Sequence, residues 1–194
     1  MSAASILVLG LGNDILTDDA VGLHVADAAS RLLEGCAEIE VRKTTEMGLA
    51  LLDEVADRYG VVLVDSVQTG RQPPGHIHEL GAEELGGALT TAPHFLGVGE
   101  TLALGRKLGL QMPQKVRILA IEVADPYTLG TAMTPGVQAA VPEAAGRAAA
   151  LARAFSQERS SAGSTRKSGL SRRDRSALIA QGAGKIREGH QPAQ

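Results

Sequence analysis

The sequence predicts an α/β fold: a doubly wound, mostly parallel, five-stranded twisted sheet with helices on both faces. Three observations carry this. Apolar runs at Ile6–Leu9, Val61–Val64 and Val116–Val123 are nearly continuous, as in strands buried on both faces. Between them lie stretches whose apolar residues recur at helical spacing, in the order β-α-β-α-β-(β)-α-β-α, which argues for parallel strands joined by helical crossovers. Aromatic residues make up only 2% of the chain and Trp is absent, so the core must be Ala, Val, Leu and Ile packed in layers. The 194 residues suffice for one domain with a proper core.

The first strand, Ile6–Leu9, breaks into Gly10, Gly12 and Asn13, residues suited to a tight turn. Val21, Val25, Ala28, Ala29 and Leu32 then keep helical spacing, with Asp18 reading as the N-cap and Gly35 as the stop. Ile39–Val41 is a short second strand. Leu49, Leu52 and Val55 mark a second helix that closes near Gly60. The third strand, Val61–Val64, ends on Asp65. Gly70–Gly75, with two prolines, is a turn, and Ile77–Leu80 a short edge strand. The stretch Gly81–Ala92 is rich in Gly and Thr and reads as loop. A glycine-weakened helix spans Leu96–Leu108, a strand Val116–Val123, and a loop Asp125–Thr134. Pro135 suits a first helical position, and the last helix is expected to run to about Phe155 with a kink at Pro142.

Composition divides the chain into a body, residues 1–155, and a tail, residues 156–194. The tail carries about eight Lys/Arg against three Asp/Glu and too little apolar surface to offset its ordering entropy, so it is expected to be largely disordered. The body is correspondingly acidic, which argues against nucleic-acid binding. The single Cys36 excludes an intramolecular disulfide and a CxxC metal site, and it fits a reducing cytoplasm. The apolar start lacks a basic leader and a cleavage site, and no run is long enough to span a membrane.

In the common doubly wound order the first strand lies between the second and third, so their carboxyl ends flank the switch point where ligands bind. Asp19 follows the first strand and Asp65 ends the third, which brings residues about 46 apart in sequence to one crevice. Paired carboxylates there serve either as general acid and base or as hard metal ligands. His94, after Pro93 at the mouth of a helix, would turn such a pair toward zinc or nickel and leave coordination positions open. Plainer readings stand beside this one. Asp19 suits a helix start, Asp65 a turn, and His94 a cap. His76 and His78 share one face of an edge strand, and His24 reads as surface. Glu122 and Asp125 lie past the fifth strand and approach the same edge. Gly10-x-Gly12 is no dinucleotide fingerprint, because Ile15 stands where the third Gly belongs. No GxSxG is present, and Cys36 has no nearby base.

Four motifs in order resemble those of the nickel–iron hydrogenase maturation proteases, over roughly Ser5–Phe155. They are Leu9-Gly10-Leu11-Gly12-Asn13 with Thr17-Asp18-Asp19-Ala20-Val21-Gly22; Val62-Leu63-Val64-Asp65-Ser66-Val67; Ala92-Pro93-His94-Phe95-Leu96-Gly97; and Ile121-Glu122 with Thr134-Pro135 beyond it. One departure lies after the second strand, where Lys43–Gly48 replaces the family's glycine-rich turn. The resemblance implies a phosphorylase/hydrolase-like sheet. It also implies a cytoplasmic endopeptidase, expected to be a monomer, that trims the C-terminal extension of a hydrogenase large-subunit precursor after nickel insertion. Asp19, Asp65 and His94 would be the metal ligands and Asp19 and Asp65 the catalytic groups. The nickel would be carried by the substrate, with no organic cofactor, nucleic acid or membrane involved. Whether the metal polarises the scissile carbonyl, activates water or only reports loading is left open, as is an aspartate general base. Two other classes compete. A flavodoxin-like module would bind phosphate on the amides of Gly10–Asn13, where Asp18 and Asp19 would repel it. A non-enzymatic assembly factor would hold the precursor without cutting it.

Overall fold

The computed structural model describes residues 5–46, 48–81 and 93–167; of residues 93–97 and 163–167 only the backbone is described. The strands are β1 (Ile6–Leu11), β2 (Ile39–Thr44), β3 (Gly60–Val67), β4 (Ile77–Gly81) and β5 (Lys115–Glu122). The α-helices are α1 (Val21–Leu32), α2 (Ala50–Val55), α3 (Pro93–Lys107) and α4 (Pro135–Lys167), and a 3-10 turn at Asp18–Ala20 leads into α1. The strands form one sheet in the order β2-β1-β3-β5-β4. All pairings are parallel except β4 with β5, which is antiparallel. This is the expected doubly wound sheet with an antiparallel edge strand.

Side chains of the central strands alternate between two cores, as the period of two requires. Ile6, Val8, Val62, Val64, Leu119 and Ile121 meet Val21, Val25 and Ala29 of α1 and the alanine-rich face of α4. On the other face Leu7, Leu9, Leu63, Ile118 and Ala120 meet Leu51 and Val55 of α2 and Val98 and Leu102 of α3. Small residues set how closely the helices sit. A Cβ at Gly22 would lie 2.2 Å from the Leu11 carbonyl oxygen and 2.4 Å from that of Val64. Only glycine lets α1 rest on β1 and β3 at this point, and that contact fixes where the preceding loop lies.

The chain divides into two units, Met1–Gln157 and Glu158–Gln194. The first holds the sheet. The second is described only over residues 158–167, the final turns of α4. The sequence pattern ends this helix near Phe155 and reads the residues beyond it as unstructured, but the helix continues to Lys167. Extending a formed helix costs far less than nucleating one, and Gln157, Glu158, Arg159 and Ala162 are tolerable or good helix formers, so α4 outlasts its apolar face. The rest of the expected tail lies outside the described residues, as does most of the expected Gly81–Ala92 loop. Pro142 lies inside α4. No helix among the described residues is long and apolar enough to cross a membrane.

Candidate active site at the carboxyl edge of the sheet

The loop from β1 to α1 is held down along its whole length. Gly12 has φ +148, and a Cβ there would lie 2.1 Å from the Asp19 carbonyl oxygen, so the loop folds back tightly over its own end. Thr17 N donates to Thr128 O at 3.0 Å, Gly130 N to Ile15 O at 3.0 Å, and Asp18 N to Asp125 O at 3.2 Å, joining it to the β5–α4 loop. Asp18 is not the N-cap that its position suggests. Ala20 takes the N-cap position and makes no side-chain cap bond. The Asp18 carboxylate is instead fully buried and accepts four hydrogen bonds. These come from Ala124 N at 3.0 Å, Asp125 N at 2.9 Å, Thr134 N at 2.6 Å and Thr134 Oγ1 at 2.9 Å. A rigid acceptor-only group satisfies donors from across the sheet edge better than it would a helix end in water.

Asp19 and Asp65 do converge. Asp65 lies within β3, opposite Ala120 of β5 and one residue past the stretch paired with β1. The next residue, Ser66, donates its hydroxyl to Asp19 Oδ1 at 2.6 Å, which ties the 3-10 turn to the end of β3. Asp65 Oδ1 accepts the Ser66 N–H at 2.8 Å, whereas Oδ2 is buried with no hydrogen-bond partner among the described residues. Burial drives the Asp65 carboxyl up from 3.8 to about 8; the Ser66 N–H opposes this and the charge of Asp19 adds to it. Two adjoining carboxylates, one of them protonated near neutrality and short of a partner, make an acid–base pair or a cation seat. The unpaired Oδ2 is the observation that favours a cation, because a positive ion supplies what the protein does not.

A fourth buried carboxylate, Glu122, closes the end of β5 opposite Val67. Its Oε1 accepts Thr69 N and Gly70 N, both at 2.7 Å, and its Oε2 accepts Thr69 Oγ1 at 2.8 Å and faces His78 Nε2 at 3.2 Å. Burial works to raise this carboxyl, but the bonds from Thr69, Gly70 and His78 outweigh it and hold it below the usual carboxylate range. His78 is thus committed to Glu122, with the ring of His76 against its edge at 4.7 Å, and the two are not a ligand pair. Asp125 accepts Tyr127 N and Thr128 N, which fold the loop, and the Thr128 side chain together with these two N–H groups holds its carboxyl low. His24 is exposed, as expected.

Among the described residues no group of three His, Cys, Asp or Glu side chains is gathered to hold a metal ion. Asp19 and Asp65 supply two donors. His94 falls in the first turn of α3, and its side chain lies outside the described residues. A cleft of about 450 Å³ is lined by residues of the β1–α1 loop, α1 and the end of β2, among them His24, Asp27, Lys43 and Ala20, the residue that follows Asp19; neither Asp19 nor Asp65 lines it. The Lys43 ammonium bonds Asp27 at 2.8 Å on its wall. Sequence reasoning missed Ser66, Thr134 and the true partners of Asp18 and Glu122. Ser66 and Thr134 stand inside the motifs, but nothing local assigned them a role, because the bonds join positions more than 40 apart in sequence.

Fold and site define an α/β protein whose carboxylate pair sits at the switch point of a parallel sheet, the place where such sheets bind ligands. The family model described as hydrogenase maturation protease matches residues 39–151, a span that contains Asp65 and His94. The chain is 29% identical over 140 residues to the hydrogenase 2 maturation protease of Escherichia coli (strain K12), covering 70% of this chain and 83% of that protein. It is similar in structure to the hydrogenase maturating endopeptidase HybD from E. coli, with TM-score 0.62 and 27% identity over 76% of this chain and 91% of the other. The solution structure of an endopeptidase from E. coli matches with TM-score 0.59 and 26% identity, covering 73% and 88%. The chain belongs to the hydrogenase maturation protease family.

Proposed function

We propose that this protein is the endopeptidase that removes the C-terminal extension of a nickel–iron hydrogenase large-subunit precursor once nickel has been inserted. Asp19, Asp65 and His94 bind the nickel that the substrate brings, and binding it positions the scissile peptide beside Asp19 and Asp65. The observation that carries this reading is the buried, unpaired Oδ2 of Asp65 next to Asp19, inside a chain of this family. Burial that leaves a carboxylate oxygen without a donor is costly unless a ligand completes the site. The cleft along α1 and the end of β2 offers the adjoining peptide a place to lie. Lys43 and Asp27 on its wall are side chains that can recognise its polar groups. Near neutrality a protonated Asp65 can hand its proton on when the metal arrives, and a carboxylate oxygen of the pair that the metal leaves free can serve water as a base. The protein acts in the cytoplasm as a monomer.

The test mixes purified protein with nickel-loaded and nickel-free precursor and tracks mass. Loss of the C-terminal peptide from the loaded form alone is the expected result. Retained binding without any cleavage would favour an assembly factor instead.

A further inference from the structure

We propose that Asp18 is a positioning residue of this site: its carboxylate locks the loop that presents Asp19 and so sets the affinity of the Asp19–Asp65 pair for metal. The inference rests on the reading of that pair as a nickel site. Asp18 touches no open space, being fully buried, and it adjoins Asp19 in the same 3-10 turn. Its two oxygens are used unequally. Oδ1 takes Thr134 N, and Oδ2 takes Ala124 N, Asp125 N and Thr134 Oγ1. All four donors come from the segment between β5 and α4, across the sheet edge from the turn. Backbone bonds from Asp18 N to Asp125 O and from Thr17 N to Thr128 O run the other way and close the clamp. The Thr17 hydroxyl also donates to Asp125 O.

With its N–H and its carboxylate both bonded to the segment between β5 and α4, Asp18 is held at backbone and side chain, and this places the Cα of the adjoining Asp19. The other side of Asp19 is fixed too, by Gly12 packed on its carbonyl and by Ser66 on its carboxylate. Metal ligands need such support, since a ligand free to wander must be ordered at the cost of affinity. The clamp demands a carboxylate. An Asn at position 18 would turn its amide N–H groups on Thr134 N in one flip state, and on three donors in the other.

The test titrates NiCl2 into the full-length protein by calorimetry and records the melting temperature of each variant. Asp18→Asn is expected to weaken Ni2+ binding at least about tenfold. Thr134→Val removes one of three bonds at Oδ2 and should weaken it by about threefold, whereas Thr134→Ser keeps the hydroxyl and should restore wild-type affinity. A merely structural Asp18 would lower the melting temperature and leave the Ni2+ affinity of the folded protein unchanged; that result overturns the proposal. If Asp18→Asn does not fold, the Thr134 pair decides, and wild-type affinity in Thr134→Val overturns it. Asp19→Asn separates the two levels. Loss of binding there, with wild-type affinity in the Asp18 and Thr134 variants, defeats only the positioning role. Wild-type affinity in Asp19→Asn, or no Ni2+ binding by the wild type, defeats the nickel reading and this inference with it.

Discussion

Two buried aspartates stand at the same sheet edge and are treated in opposite ways. Among the described residues Asp18 has four donors on two oxygens, while Asp65 has one donor and an oxygen with none. Glu122, one strand further along, sides with Asp18, since Thr69, Gly70 and His78 surround it. The difference teaches how to sort carboxylates in an edge crowded with them. A buried acid whose lone pairs are all filled has finished its work in holding the chain. One left unfilled beside a second carboxylate costs the fold something, and on the reading proposed above it is kept for a ligand.

The comparison breaks most visibly at Asp65. Asp65→Asn should abolish precursor processing while leaving circular dichroism unchanged, because the amide is close in shape to the protonated carboxyl that is buried near neutrality but cannot ionise to bind a metal. His94→Ala should likewise abolish processing with the fold intact, as a missing nitrogen donor would leave a harder, weaker seat for nickel. A folded His94→Ala protein that trims loaded precursor at the wild-type rate would remove histidine from the site.

Stability should respond the other way. Asp18→Ala leaves three backbone N–H groups without their acceptor and should cost roughly 3–5 kcal/mol in chemical denaturation. A simple helix cap would cost only about 1 kcal/mol. Glu122→Ala should cost roughly 2–4 kcal/mol by the same accounting. If either variant denatures like the wild type, the filled carboxylates are not what holds these loops.

A smaller effect sharpens the contrast through pH. Asp65 has its folded pKa raised to about 8, so it binds a proton in the fold that the unfolded chain gives up near 3.8. Its favourable contribution is therefore complete below that lower value and is lost as pH rises through the higher one. Glu122 is held low, so its contribution is present above its unfolded pKa and is lost as pH falls through the folded value. Metal-free protein melted across this range should lose stability at both ends. Asp65→Asn should flatten the alkaline limb and Glu122→Gln the acid limb, and the reverse assignment would be a clear failure.

Much of this was legible in the sequence. Nearly continuous apolar strands pointed to the sheet, and β1 flanked by β2 and β3 brought Asp19 to Asp65 through topology alone. Asp18 and Glu122 were not legible. Asp18 sits where a cap belongs, and local spacing cannot reveal that its donors lie beyond β5, more than 100 residues on. The partner of His78 was hidden for a related reason: the register sets it opposite Ala120 of β5, and only the side-chain bond shows that it faces Glu122. The helical stretch after Phe155 escaped because apolar periodicity reports burial, and α4 outruns its buried face.

The sorting of filled from unfilled carboxylates is tested most directly by melting the wild type, Glu122→Gln and Asp65→Asn with increasing NiCl2. A ligand that binds only the folded state raises the melting temperature as its concentration climbs past its dissociation constant. The wild type and Glu122→Gln should both rise with Ni2+, the latter from a lower start, and Asp65→Asn should not move. An Asp65→Asn protein that gains as much from Ni2+ as the wild type would contradict the account.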